Sequence, residues 1–274
     1  MTKCHFILLG MFLLLLAACK GGNPGPSLSE YGATSEATRN ARFEGYVRAL
    51  LAAPLETALQ RQDSLLTATE ADSAQWQQLI GREERFLLDP NSLYRNEELY
   101  LPVAEHIVTA PYSTRQQRDR AEWMLPKLRL NRPGTPASDF EFLTPKGRRT
   151  SLYVLWNERK PQKTILFFSN PGCPNCKEIT EMLSNSLRVQ AMLDAGKLLV
   201  VNIYPDEDVQ AWLDYLPNYP KDWICGHDPD QILRSDTRYW LRAIPSLYLL
   251  DEQKRVILKD ATPESILAAL QNGS

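Results

Sequence analysis

The sequence predicts an all-α region followed by an α/β domain whose mixed sheet is flanked by helices. Three observations lead there. Residues from about Ser35 to Leu130 carry helix caps and helical apolar spacing, with no convincing alternating strand. Composition shifts at Asn131-Arg132-Pro133-Gly134-Thr135-Pro136, a stretch suited to a domain boundary. Beyond it, apolar runs alternate with helical patterns, as in a βαβ unit. A chain of 274 residues is long enough for two such units without disulfide staples.

Residues 1–18 carry Lys3 and His5, then an apolar stretch from Phe6 to Ala18 that ends in Leu16-Ala17-Ala18. The stretch is too short to span a bilayer comfortably, and its small terminal residues suit a cleavage site, so it reads as a secretory leader. Leu-Ala-Ala-Cys resembles the lipobox of bacterial lipoproteins. That resemblance implies lipidation of Cys19, which becomes the first mature residue and anchors the chain to a membrane. Residues 19–34, with Gly21, Gly22, Pro24, Gly25 and Pro26, form a flexible tether. Of five cysteines, Cys173, Cys176 and Cys225 then remain, too few for a disulfide scaffold. A formal charge of −2 with acids and bases interspersed gives neither a nucleic-acid stripe nor a polybasic patch. Partners are expected to be proteins or small thiols.

Residues 35–132 read as five helices. Pro54 suits a first helical position, Asp72 or Ser73 can cap the segment holding Trp76, Leu79 and Ile80, and Asn96 with Glu97 and Glu98 opens another. Ser113 with Gln116 offers a capping box, and Asp89-Pro90-Asn91-Ser92 breaks two helices apart. Trp76, Leu79, Ile80, Phe86 and Leu87 recur at helical spacing and form the expected core. His106, alone on an apolar-rich helix, reads as a satisfied structural histidine.

Residues 133–274 read as the α/β domain. Phe140-Glu141-Phe142 and Ser151-Leu152-Tyr153 flank Pro145-Lys146-Gly147 as a hairpin. A buried strand Thr164 to Phe168 follows, then a helix from Cys173 to about Ala195, a strand Leu198 to Tyr204 and a helix from Glu207 to about Tyr215. A helix around Gln231 to Trp240 precedes Ser246 to Leu250 and Val256 to Lys259, paired across Glu252-Gln253-Lys254. A last helix runs from Pro263 to Gln271.

Cys173-Pro174-Asn175-Cys176 sits between the strand Ile165-Leu166-Phe167-Phe168 and the helix that starts Lys177-Glu178-Ile179. Two thiols three positions apart at a helix start can close a small ring, and the unpaired N–H groups there favour a thiolate. Cys173, at the start, is the expected nucleophile; Cys176, one turn inward, is the resolving thiol. Pro174 and Asn175 tune the relative stability of thiols and disulfide.

Ala243-Ile244-Pro245-Ser246 before the strand Leu247-Tyr248-Leu249-Leu250, together with the Cys-x-x-Cys, resembles the thioredoxin fold. In that family the corresponding proline is cis and sits beside the disulfide, leaving the preceding backbone free to pair with a substrate chain. The resemblance gives those roles to Ile244 and Pro245. Ala137-Ser138-Asp139-Phe140-Glu141-Phe142, Gly147 and Ser151-Leu152 are similar to the opening hairpin of membrane-anchored TlpA/ResA-type and peroxiredoxin-related proteins. Asp89-Pro90-Asn91-Ser92, Arg95-Asn96-Glu97-Glu98, Asn131-Arg132-Pro133-Gly134-Thr135 and Trp240 to Asp260 resemble bacterial lipoproteins in which a helical domain of unknown function precedes a thioredoxin-like domain. The implied activity is thiol:disulfide exchange on protein substrates in the bacterial cell envelope, facing the periplasm and recharged by an envelope redox partner. No cofactor or metal is implied.

The chain departs from the family in places. Gly172 stands where thioredoxin has Trp, and the dipeptide is Pro-Asn, so the direction of redox chemistry stays open. Phe167 replaces a buried Asp that assists proton transfer, and Glu178 and Glu181 flank Ile179 where TlpA/ResA-type proteins often carry a Glu. Those two acids read as a solvated helix face, with substitution for the missing base as the alternative. Peroxiredoxins keep Thr three before the reactive Cys; Asn170 counts against a peroxidase. Cys225 and His227 could join the Cys pair around a metal, but Cys-x-His is not a common ligand spacing. Cys225 reads as a partly buried thiol, with disulfide exchange from Cys173 or pairing between chains as the minority alternative. The competing function is a non-enzymatic envelope-binding lipoprotein on a thioredoxin-like scaffold.

Overall fold

In the structure, a computed structural model, residues 35–235 and 237–272 are described; the leader, Cys19 and the tether lie outside them. Five helices come first: α1 (Glu36–Leu51), α2 (Leu55–Thr69), α3 (Ser73–Glu83), α4 (Glu97–Thr109) and α5 (Arg115–Leu128). Their boundaries follow from caps. The side chains of Ser35, Asp72 and Asn96 each accept a backbone N–H at the start of α1, α3 and α4. The capping box lies one residue later than expected: Thr114 Oγ1 accepts from Gln117 N and Gln117 Oε1 accepts from Thr114 N. Ser113 is instead buried, accepting from Trp76 Nε1 at 3.2 Å, so the position that could have capped α5 serves the core.

A π-helical turn, Glu84–Leu88, extends α3. Trp76, Leu79, Ile80 and Leu87 are fully buried in one helical core and Phe86 packs against it half-buried. Trp240, from the far end of the sequence, completes that core. His106 is held by Glu70 at 2.6 Å and Asp63 at 3.0 Å, a structural role as expected. Among the described residues no helix is long and apolar enough to cross a membrane.

The α/β domain contains β1 (Glu141–Leu143), β2 (Arg149–Ser151), α6 (Leu152–Arg159), β3 (Lys163–Phe168), α7 (Pro174–Ser184), α8 (Leu187–Asp194), β4 (Leu198–Tyr204), α9 (Val209–Tyr215), β5 (Ile224–His227), β6 (Ser246–Asp251), β7 (Val256–Leu258) and α10 (Pro263–Asn272). The sheet order is β2-β1-β5-β4-β3-β6-β7. β5, β4 and β3 run parallel; β6 and β1 are antiparallel to their neighbours, which makes the sheet mixed. Alternate residues of β3 serve opposite faces. Leu166 and Phe168 join a core with Phe140, Tyr239 and Tyr248, whereas Ile165 and Phe167 join one with Cys176, Leu183, Leu247 and Ile266.

Four local expectations are corrected. Leu152 and Tyr153 leave the hairpin to start α6, because Ser151 Oγ accepts from Val154 N and caps a helix there. The single helix from Cys173 breaks at Asn185, and Ser186 caps a separate α8. Among the described residues from Gln231 to Trp240 there is only a short 3-10 turn, Ile232–Ser235. β5 is an additional strand, short and carrying Gly226, whose pairing with β4 supplies what local sequence does not.

Candidate active site

β3 aims the chain at the carboxyl end of the parallel strands, and five residues carry it from Phe168 to the start of α7. Gly172 takes φ of +73°, a backbone conformation that side chains disfavour, and this turn delivers Cys173 to the cap position. Pro174, the first helical residue, has no N–H to satisfy and a preset φ. Cys173 is half-buried, and its Sγ accepts the Cys176 N–H at 3.3 Å. Pro174 and Asn175 are exposed. Cys176 is buried one turn inward against Phe167 and Ile179 in the same core, and burial pushes its thiol up to about 12, with the Cys173 sulfur adding to the shift. One thiol is therefore accessible; the other is buried and held in its protonated form.

The peptide bond between Ile244 and Pro245 is cis, and Ile244 packs half-buried on the apolar cluster that Cys173 also touches. Structure thus brings Cys173, Cys176, Ile244 and Pro245 to one end of the sheet. Phe167 is fully buried, with its ring edge-on to Trp223. Glu178 and Glu181 are exposed on α7, with Glu181 3.8 Å from Lys177, so they form a solvated face.

A second set of residues supports the Cys173 turn. Asn170 accepts the Cys173 N–H through its carbonyl at 3.3 Å, and its side-chain amide donates to Asp206 Oδ2 at 2.5 Å, just past β4. Arg234 pairs with that carboxylate, and His227, at the end of β5, lies 2.9 Å from the Asp206 carbonyl through Nε2. A carbonyl only accepts, so Nε2 carries the proton. Burial holds the His227 pKa down against the Asp228 charge, which favours the neutral ring. The ends of three adjacent strands are thereby cross-tied behind the thiol. Sequence reasoning missed Asp206 and Arg234, which lie 33 and 61 positions from Cys173 and read locally as solvated charges.

Cys225 is half-buried on β5, in register with Asn202 on β4, which is itself opposite Phe167. Burial pushes its thiol up to about 12, opposed by the Asn202 amide. It lines an open groove of about 1340 Å³ with Tyr219, Trp223 and Leu199, to which neither Cys173 nor Cys176 contributes. His227 stacks instead on Tyr204. The two residues considered beside the Cys pair for a metal are thus engaged elsewhere, and among the described residues no three His, Cys, Asp or Glu side chains cluster as metal ligands.

Residues 31–131 match a family described as a domain of unknown function, DUF5106. A thioredoxin-like protein from Bacteroides caccae is 29% identical over the whole of both chains, with a TM-score of 0.81. The chain has the thioredoxin-like fold. The chain is also similar to the C-terminal domain of an uncharacterized protein from Bacteroides fragilis, 38% identical across 52% of this chain and 99% of that one, with a TM-score of 0.49. A conserved protein of unknown function from Bacteroides fragilis is 34% identical across 51% and 98% of the two chains, with a TM-score of 0.48. Among curated proteins none is significantly similar.

Proposed function

We propose that this thioredoxin-like protein is a thiol:disulfide oxidoreductase of the bacterial cell envelope, of the TlpA/ResA type, held to a membrane by lipid on Cys19 and facing the periplasm. Residues 35–132 form the helical domain and residues 133–274 the redox domain. The observation that carries the reading is the pairing of a half-buried Cys173 sulfur at a helix cap with a buried Cys176 one turn behind it, beside Ile244 and Pro245.

In the reducing direction the Cys173 thiolate attacks one sulfur of a client disulfide. A bond forms between Cys173 and that sulfur, and the client's other sulfur leaves as a thiolate. The backbone at Ile244 holds the client chain during this step. Cys176 then loses its proton to solvent and attacks Cys173 Sγ; the mixed disulfide breaks and the second client sulfur departs. Two electrons have passed to the client, and an envelope dithiol partner must restore the Cys173 and Cys176 thiols. The oxidising direction is the same sequence reversed. Phe167 leaves the buried acid's place apolar, so Cys176 deprotonation limits resolution.

Equilibrating the full chain in dithiothreitol redox buffers, with alkylation and mass analysis, tests this reading. The expected result is one two-electron transition linking Cys173 to Cys176, with Cys225 remaining a thiol. A midpoint near about −270 mV assigns a reductase and one near about −120 mV an oxidant. A pair that stays fully reduced across the series overturns the reading and favours a binding scaffold.

A further inference from the structure

Where the helical region meets the α/β domain, charged side chains are buried together. Arg242 is 8% exposed, Glu97 1%, Lys259 2% and Asp260 10%. Arg242 Nε donates to Glu97 Oε1 at 2.9 Å, one terminal nitrogen donates to Asp260 Oδ2 at 2.7 Å, and the other donates to the Leu88 carbonyl. Leu88 closes the π-helical turn, so its carbonyl lacks an intrahelical donor and Arg242 supplies one. Lys259 lies 2.7 Å from Glu97 Oε2 and donates to the carbonyl of Leu128, the last residue of α5. Arg95 donates to the carbonyls of Asp260 and Ala261. Burial raises the Glu97 carboxyl above its usual range, and Lys259 and Arg242 oppose the rise.

The two oxygens of Asp260 take partners from either side of Pro245. Oδ2 takes Arg242, three residues before Pro245; Oδ1 takes Ser246 Oγ at 2.8 Å, one residue after it. Both flanks of the Ile244 and Pro245 segment therefore hang on one carboxylate, and that carboxylate is braced by α4 and the π-helical turn through Arg242. A purely adhesive contact would be served as well by apolar side chains, since desolvation offsets most of what a buried ion pair gains. Fixed geometry is what the guanidinium fork adds.

We propose that Arg242, Glu97 and Asp260 are positioning residues through which the helical region sets the Ile244 and Pro245 segment for docking of a client polypeptide. The inference rests on the proposed function, in which that segment receives the client chain. It gives the helical region a role in client capture that the Cys pair alone does not supply. A small disulfide has no chain to dock and needs only Cys173.

The test uses the full chain in a Cys176→Ala background, where adducts on Cys173 persist. Rates of mixed-disulfide formation are measured with insulin, a protein disulfide, and with 5,5′-dithiobis(2-nitrobenzoate), a small one. Glu97→Gln and Arg242→Lys are expected to slow the insulin reaction by about tenfold or more and leave the small-disulfide rate within about twofold, a scale set by the cost of ångström misplacement. Ser246→Ala, which removes one hydroxyl, is expected to shift the ratio in the same direction by less and carries the test if either charge variant fails to fold. Parallel loss of both rates, or no loss in either, overturns the inference while the proposed function stands. A parent that traps insulin with neither speed nor yield removes the proposed function and the inference with it.

Discussion

Cys173 is half-buried and Cys176, one helical turn on, is buried. At pH 8 a thiol raised to about 12 is roughly one part in ten thousand thiolate. Iodoacetamide at pH 8 should therefore label Cys173 in the folded, reduced chain and leave Cys176 and Cys225 unmodified; peptide mass mapping reads the sites, and prompt labelling of Cys176 would contradict the burial argument. The Cys pair was legible from sequence because strand, spacing and helix start are all local. Its supporting contacts were not, since Asn170, Asp206, His227 and Arg234 meet only when three strands are aligned.

At the scale of elements, α3 carries a liability. Glu83 is fully buried, and burial raises its pKa from 4.5 to about 8, offset in part by the Gln62 amide. Below about 4.5 both folded and unfolded forms hold the proton, so there is no penalty; as pH rises towards 8 the unfolded form ionises first and stability falls. Glu83→Gln should leave stability near pH 4 unchanged and increase it at pH 8 by on the order of 2 kcal/mol, read from urea unfolding at both pH values. β5 shows the opposite constraint. A Cβ at Gly226 would stand 2.3 Å from Phe142 Cδ2 and 2.8 Å from Ile203 Cδ1, so Gly226→Ala should cost about 1–3 kcal/mol by overpacking, seen as a lower Tm. Helices and long strands were legible from caps and apolar runs, whereas Ile224–His227 was not: a glycine inside four residues weakens the local signal, and the strand exists through β4 and β1.

Across the whole molecule the two halves share a core and a charge cluster. Trp240 belongs to the α/β sequence but packs in the helical core, edge-on to Trp123, and Arg132 grips Glu98 at 2.7 Å at the junction. The chain should unfold in one cooperative transition, and Trp240→Ala should lower the stability of both halves together by about 3–5 kcal/mol, with coincident far- and near-ultraviolet melting curves. Two separated transitions would show that the interface is loose. Composition suggests a boundary near Pro133 but carries no sign of the buried ties between the halves, because Glu97 and Arg242 stand 145 positions apart and each reads alone as a surface charge.

Whether Cys173 attacks and Cys176 resolves is read by incubating the full chain carrying Cys176→Ala or Cys173→Ala with insulin and resolving the products without reductant. A dithiothreitol-sensitive adduct is expected with Cys176→Ala and none with Cys173→Ala. Equal adducts from both variants, or none from either, would contradict those roles.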